Sequence, residues 1–201
     1  MRLVQFTDPQ SSPSNRVGII DGDDLIDLTS TPTAPISLHE LYYQHGGNAS
    51  SLVEVCEGLA GSAERKPLGN LLKNTSDTTQ PHLRPTVTPP SGAKHLLRIW
   101  LAGVTHEDSA KLREIEAKQS TGVSVNVYDQ KYRECAAGGI PELFAKSDPE
   151  SLVAHGGPIG RPENTLRLVP EVELVSIYGL RSDGQIERLG FTGGNDYTDN
   201  G

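Results

Sequence analysis

The segment 169–177 alternates acidic and apolar residues, and this alternation predicts a β-strand. Glu171 and Glu173 stand two residues apart in the stretch Pro170-Glu171-Val172-Glu173-Leu174. The apolar and β-branched residues around them favour a strand. In a strand, side chains at positions i and i+2 point to the same face, roughly 7 Å apart. The segment therefore predicts a strand that carries two carboxylates on one face.

A third acidic residue, Asp196, follows in Gly193-Gly194-Asn195-Asp196. Three carboxylates that converge on one point suit a hard divalent ion such as Mg²⁺, Mn²⁺ or Ca²⁺. The spacing alone leaves an alternative open, because Glu-x-Glu is also common on the water-facing side of an antiparallel strand. We interpret the glycine pairs 156–157 and 193–194 as turns that bring the backbone close to a site.

The charge balance and the cysteine pattern narrow the choice of partner and compartment. The chain has 18 Lys+Arg against 26 Asp+Glu, a net charge of -8, and an acidic chain repels the phosphates of nucleic acid. No apolar run approaches the ~18 residues of a membrane span, and no signal peptide is recognisable, so we expect no membrane partner. Cys56 and Cys135 form no CxxC motif, which favours reduced thiols and a cytoplasmic location.

Composition divides the chain into two predicted domains, 1–88 and 94–201. The stretch 75–93 is rich in Thr, Pro, Ser and Gly and is typical of a linker. The first domain begins with a small β-meander that leads into helices. Ser37 and Glu40 have the spacing of a capping box at the start of one helix.

The second domain is predicted to be mainly β, with one or two helices. The apolar run 96–104 predicts a buried strand. The segment 107–119 predicts a helix with Leu112 and Ile115 facing inward. A further strand is predicted at 185–191, entered through a turn at 181–184.

Several short motifs occur in one order along the chain. They are Trp100-Leu101-Ala102-Gly103-Val104-Thr105, Val127-Tyr128-Asp129, Pro141-Glu142-Leu143-Phe144-Ala145-Lys146, Gly156-Gly157-Pro158-Ile159, Pro170-Glu171-Val172-Glu173-Leu174 and Gly190-Phe191-Thr192-Gly193-Gly194-Asn195-Asp196. In this order the chain resembles the fumarylacetoacetate hydrolase family. The similarity is closest to the branch of 2-keto-3-deoxy-D-arabinonate dehydratases and diketo-deoxy-sugar-acid hydrolases. The N-terminal stretches 2–6, 17–18 and 27–28 fit the small leading domain of that family.

The resemblance implies an α+β, mainly β fold, with a small N-terminal α/β domain followed by a mixed β-roll. It implies that Glu171, Glu173 and Asp196 bind Mg²⁺, with Mn²⁺ or Ca²⁺ as alternatives. The implied substrate is a 2-keto-3-deoxy sugar acid. The implied activity is that of a lyase or hydrolase, by dehydration or C–C hydrolysis through a metal-stabilised enolate. Family members are often dimers, so the resemblance also implies a homo-oligomer.

The resemblance assigns roles to four more residues. Lys146 would bind the substrate carboxylate or stabilise enolate charge, and Glu116 would transfer protons. Thr105 and Ser109 would contact substrate hydroxyls. Each has a simpler alternative: Lys146 as a solvated lysine at a strand end, Glu116 as a helix-surface acid, and Thr105 and Ser109 as helix caps.

The chain departs from the family pattern after Asp196. The family usually continues through small residues to Arg-Asp, whereas this sequence reads Tyr197-Thr198-Asp199-Asn200-Gly201 and then ends. We therefore expect a β-roll truncated at the C-terminus. This departure keeps a second hypothesis, a truncated and catalytically inactive relative or fragment, beside the enzyme. A third hypothesis is a non-catalytic acidic binding module.

Overall fold

The computed structural model describes residues 1–32, 34–124 and 126–199. Its contacts divide into two units, one made of 1–94 with 152–201 and the other of 95–151. The predicted domains 1–88 and 94–201 remain a prediction. Within the described ranges the protein is a mixed α and β structure with more residues in strands than in α-helices, and its sheets are antiparallel. None of the described helices is long and apolar enough to cross a membrane.

The first unit contains a five-stranded sheet in the order β4-β3-β2-β1-β5. Its strands are β1 (Leu3–Thr7), β2 (Asn15–Asp21), β3 (Asp24–Asp27), β4 (Glu64–Pro67) and β5 (His82–Leu83). Gly22 adopts a φ of +62° in the β2–β3 hairpin, a backbone conformation that glycine reaches without strain. The predicted linker 75–93 therefore includes an edge strand, because β5 pairs with β1.

Helices cover this sheet and close the core of the first unit. They are the 3₁₀-helix Leu28–Ser30, α1 (Leu38–Glu40), which continues as a π-helix (Leu41–Gly46), α2 (Ala49–Ala60) and α3 (Gly69–Lys73). Ser37 accepts a hydrogen bond from the Glu40 N–H at 3.1 Å, as its capping position predicts. One core cluster joins Val17, Leu28, Leu41, Tyr42 and Cys56. Burial, followed by the charge of Glu57, raises the pKa of the Cys56 thiol to about 11, which makes it unreactive.

A charged triad in the five-stranded sheet is centred on a buried carboxylate. The fully buried Asp27 accepts hydrogen bonds at one oxygen, Oδ2, from Arg16 Nε and from Lys66 Nζ, both at 2.8 Å. These bonds join β2, β3 and β4, so the triad holds three neighbouring strands in one register.

The second unit pairs β6 (Ile99–Gly103) with β7 (Glu142–Ser147) beside two helices, α4 (Glu107–Thr121) and α5 (Val127–Ala136). Short 3₁₀-helices lie at Lys94–Leu96 and Pro149–Ser151. The strand and helix predicted from 96–104 and 107–119 are present.

The packing predicted for these two elements is wrong. Trp100 on β6 is 63% exposed, so the strand is not buried. Leu112 and Ile115 on α4 are 56% and 54% exposed rather than inward-facing. The physical reason is that α4 has too few apolar positions to form a broad apolar stripe, and its buried contact comes from the small residue Ala110.

The first unit also contains a two-stranded ribbon, β8 (Leu168–Leu180) paired with β9 (Ile186–Asp199). The turn predicted at 181–184 joins the strands, where the Gly184 N–H donates to the Arg181 carbonyl at 3.0 Å. The turn predicted at Gly193–Gly194 is wrong, because both glycines lie inside β9. A Cβ on Gly194 would come within 2.7 Å of Val175 Cγ2, so this glycine allows a close cross-strand approach.

Candidate metal centre

The register of the ribbon brings the three predicted metal ligands to one face. Glu171 on β8 lies directly opposite Asp196 on β9, and Glu173 lies opposite Gly194. Residues directly opposite each other have Cβ atoms about 5 Å apart on the same face, and Glu173 follows about 7 Å along the strand. The three carboxylates are therefore neighbours, although Asp196 is distant from the two glutamates in sequence.

The acidic face is the more covered face of this part of the ribbon. Glu171, Glu173 and Asp196 are all partly buried, whereas Val172 is 87% and Leu174 is 76% exposed. A strand with its acids in water would show the opposite distribution. The exposure pattern therefore does not match the water-facing alternative for Glu-x-Glu.

The donor set suits a hard divalent cation, because three carboxylates supply only oxygen ligands and contain no soft sulfur donor. The side chains do not converge as they stand. Across residues 1–32, 34–124 and 126–199, no group of three or more His, Cys, Asp or Glu side chains is arranged to hold a metal ion. Binding one would require the carboxylates to turn towards a common point on their shared face.

Lys146 lies on β7 in the second unit and borders a cleft of about 280 Å³. The cleft is lined by Leu97, Arg98, Ile99, Ala145, Lys146, Ser147, Asp148 and Pro149. Two cationic side chains against one carboxylate give this cleft a positive charge balance.

Thr105, Ser109 and Glu116 occupy the segment that follows β6. The N-cap of α4 is His106, whose side chain makes no capping hydrogen bond, so neither Thr105 nor Ser109 occupies the N-cap position that was their alternative. Glu116 forms an ion pair with Arg113 at 3.0 Å, one turn back on α4. A pair at this spacing is typical of a helix surface.

A strained residue next to Thr105 has no signature in the amino-acid sequence. Val104 has a φ of +53°, and the left-handed region is unfavourable for a β-branched side chain. Strain of this kind costs on the order of 1–3 kcal/mol and occurs often at functional sites. Any side chain can be forced into such a turn by its surroundings, so residue identity does not predict it.

Comparison with known proteins adds no relative: no family model, no curated protein and no solved structure matches this chain.

Proposed function

We propose that the chain is a divalent-metal-dependent enzyme of the fumarylacetoacetate hydrolase family that acts on a 2-keto-3-deoxy sugar acid. The reaction would be a dehydration or a C–C hydrolysis, on a fold whose second part is a mixed β-roll. The observation that carries the proposal is the register of the ribbon, which sets Glu171 opposite Asp196 and puts Glu173 on the same face. This arrangement supports the ligand set that the motif order implies.

Glu171, Glu173 and Asp196 would hold the cation, which is Mg²⁺ in this proposal. When bound, a divalent ion supplies a Lewis acid that polarises a carbonyl oxygen. The three carboxylates would also repel an anionic substrate when no cation is present. Substrate binding at this face is therefore expected to require the metal.

Lys146 would hold the substrate carboxylate, which the positive charge balance of its cleft supports. Arg98 borders the same cleft and would add a planar, bidentate donor for that carboxylate. Glu116 would move the proton at the carbon next to the ketone, and it would have to leave its ion pair with Arg113 to do so. Thr105 and Ser109 would donate to substrate hydroxyls.

The first test is thermal unfolding of the protein in EDTA and in a Mg²⁺ series. We expect stabilisation of about 2.7 kcal/mol when Mg²⁺ reaches about a hundred times its Kd. Glu171→Ala should abolish that gain. The matched control is Glu163→Ala, which removes an exposed acid from the same unit and should leave the gain intact. An equal response of the two variants would refute the metal site.

The second test is turnover of a panel of 2-keto-3-deoxy sugar acids with and without Mg²⁺. Metal-dependent loss of one acid, abolished by Lys146→Met, is the expected result. Mg²⁺ stabilisation without turnover of any acid would instead favour the catalytically inactive relative.

A further inference from the structure

Arg84 is a half-buried cation in the first unit that has no acidic partner among the residues that the structure describes. It follows β5 at the edge of the five-stranded sheet, and its backbone N–H donates to the Gln5 carbonyl at 3.0 Å. Its Nη1 is buried and has no hydrogen-bond partner. No carboxylate of the described residues forms an ion pair with it, and burial alone lowers the pKa of its guanidinium. A dehydrated cation without a counter-charge is unfavourable unless something supplies the missing acceptor.

The segment 84–88, called the strap here, holds this guanidinium in a fixed place. Arg84 Nη2 donates to Thr88 Oγ1 at 3.2 Å. Gln5 is fully buried and holds the strap in place. Its Nε2 donates to the Pro85 carbonyl at 2.8 Å and to Thr88 Oγ1 at 3.3 Å. The other end of the same amide, Oε1, accepts from the Leu38 N–H at 2.8 Å. The strap is thus anchored by a core residue rather than by solvent-exposed contacts.

The strap also touches the ribbon. Thr86 Oγ1 lies 3.4 Å from Thr192 Oγ1 on β9. The contact between Thr86 and Thr192 ties the strap to a separate element. Thr88, whose hydroxyl donates to Gln5 Oε1 at 3.4 Å, is the strap residue that holds the guanidinium. Donors held in advance lose little entropy when a ligand binds.

We propose that Arg84, held in place by Thr88, binds the carboxylate of a small organic acid. One guanidinium neutralises one negative charge, and its two-pronged donor geometry matches the two oxygens of a carboxylate. A phosphate dianion carries a second negative charge, which the Arg84 guanidinium alone does not neutralise. The proposal does not depend on the metal centre, because none of its donors is an expected metal ligand.

The test is calorimetric titration of the full chain with pyruvate in EDTA, with inorganic phosphate as the comparison ligand. We expect the wild type to bind pyruvate, and we expect Arg84→Gln to weaken that binding about tenfold or more. A hydrogen bond to a charged group contributes a binding free energy of that size. The matched control is Arg188→Gln, which removes another arginine of the same unit, one stacked 4.6 Å from the centre of the Phe191 ring. This control should bind pyruvate like the wild type.

Melting without ligand separates binding from a structural role. An unpaired half-buried cation is not expected to stabilise the fold, so Arg84→Gln should melt no lower than the wild type. If Arg84→Gln fails to fold, Arg84→Lys and Thr88→Val replace it. Lysine keeps the charge but loses the two-pronged donor, and valine removes the hydroxyl that holds the guanidinium. Both variants should bind pyruvate more weakly than the wild type. No binding of pyruvate, equal binding by the wild type and all Arg84 and Thr88 variants, or preferential binding of phosphate would each overturn the proposal.

Discussion

Glu171 lies directly opposite Asp196 across the β8–β9 ribbon, so two carboxylates from separate sequence motifs face each other on adjacent strands. Like charges at directly opposite positions destabilise a sheet unless something neutralises them. A bound cation would neutralise this pair. The metal site can therefore be tested by substituting Asp196 on β9 as well as Glu171 on β8.

Asp196→Asn should remove most of the Mg²⁺-dependent stabilisation, because it keeps the shape of the side chain but removes one anionic oxygen ligand. Differential scanning fluorimetry in EDTA and in Mg²⁺ measures the effect. Asn195→Asp is the companion variant. Residue 195 is paired with Val172, so its side chain lies on the face of the ribbon that does not carry the three acidic residues. An added carboxylate there should not raise the Mg²⁺ response; a raised response would contradict the assigned face.

Gly194→Ala should destabilise the protein by about 1–3 kcal/mol, because its new methyl group would meet Val175 Cγ2 at 2.7 Å. Gly193→Ala is the matched control on the neighbouring residue, where a Cβ has nothing within 4 Å. The control should be neutral or slightly stabilising, since alanine costs less backbone entropy than glycine in a strand. Urea unfolding of both variants measures the difference, and equal midpoints would disprove the close approach.

Asp27→Asn should cost about 3–5 kcal/mol, because it leaves the buried Arg16 and the partly buried Lys66 without their shared anion. Asp24→Asn on the same strand is the control. Asp24 is exposed and lies 3.6 Å from Arg65, so its loss should cost less than about 1 kcal/mol. Chemical denaturation distinguishes these values, and a small effect of Asp27→Asn would show that the triad adds little to stability.

Stability should fall as the pH rises from about 10 towards 12, because Tyr42 keeps its proton longer in the folded chain. Burial, followed by the hydrogen bond to Glu187, raises the pKa of Tyr42 to about 12, whereas an unfolded tyrosine titrates near 10. Between these two pKa values the folded state holds more protons than the unfolded state. The contribution of Tyr42 to the free energy of unfolding is therefore present below about pH 10 and is lost as the pH rises towards 12. Melting temperatures between pH 9 and 12 measure it.

Tyr42→Phe should remove that alkaline decline, and Tyr178→Phe, which changes an exposed tyrosine of the ribbon, should leave it in place. The same decline in Tyr42→Phe would assign it to another group.

Leu174→Lys should leave the melting temperature nearly unchanged and lower the binding of a hydrophobic dye. Leu174 is largely exposed on a face shared with other apolar side chains, which are Val172, Tyr178, Leu180, Ile186 and Phe191. Apolar patches of this kind bind such dyes and promote association. A loss of several kcal/mol in the lysine variant would show that this face is covered in solution.

The sequence predicted local structure where a short pattern determines it. Alternation across 169–177 and the turn at 181–184 predicted strands that the ribbon contains, although β9 continues to Asp199, past the predicted end at residue 191. Ser37 was recognised as a helix cap. In this cap the Glu40 carboxylate accepts from the Ile36 N–H at 2.8 Å rather than completing a capping box with Ser37. Backbone patterns are local, so they can be read from neighbouring residues.

What the sequence did not predict depends on contacts between distant segments. The pair 193–194 looked like a turn because glycine marks turns, yet Val175 on the facing strand explains why Gly194 is there. Arg84 carries no sequence signal, because the presence of an acidic partner depends on the positions of carboxylates that are distant from it in sequence. The register of Glu171 with Asp196 likewise became visible only with both strands paired.

Glu187 has a consequence for how the protein is made. Its carboxylate accepts from the Tyr42 hydroxyl at 2.7 Å and from the Ala49 amide at the start of α2 at 3.0 Å, across 145 and 138 positions of sequence. A ribosome releases α2 long before it adds residue 187. The Ala49 amide at the start of α2 therefore gains its carboxylate acceptor only after the ribbon strand that carries Glu187 has been synthesised.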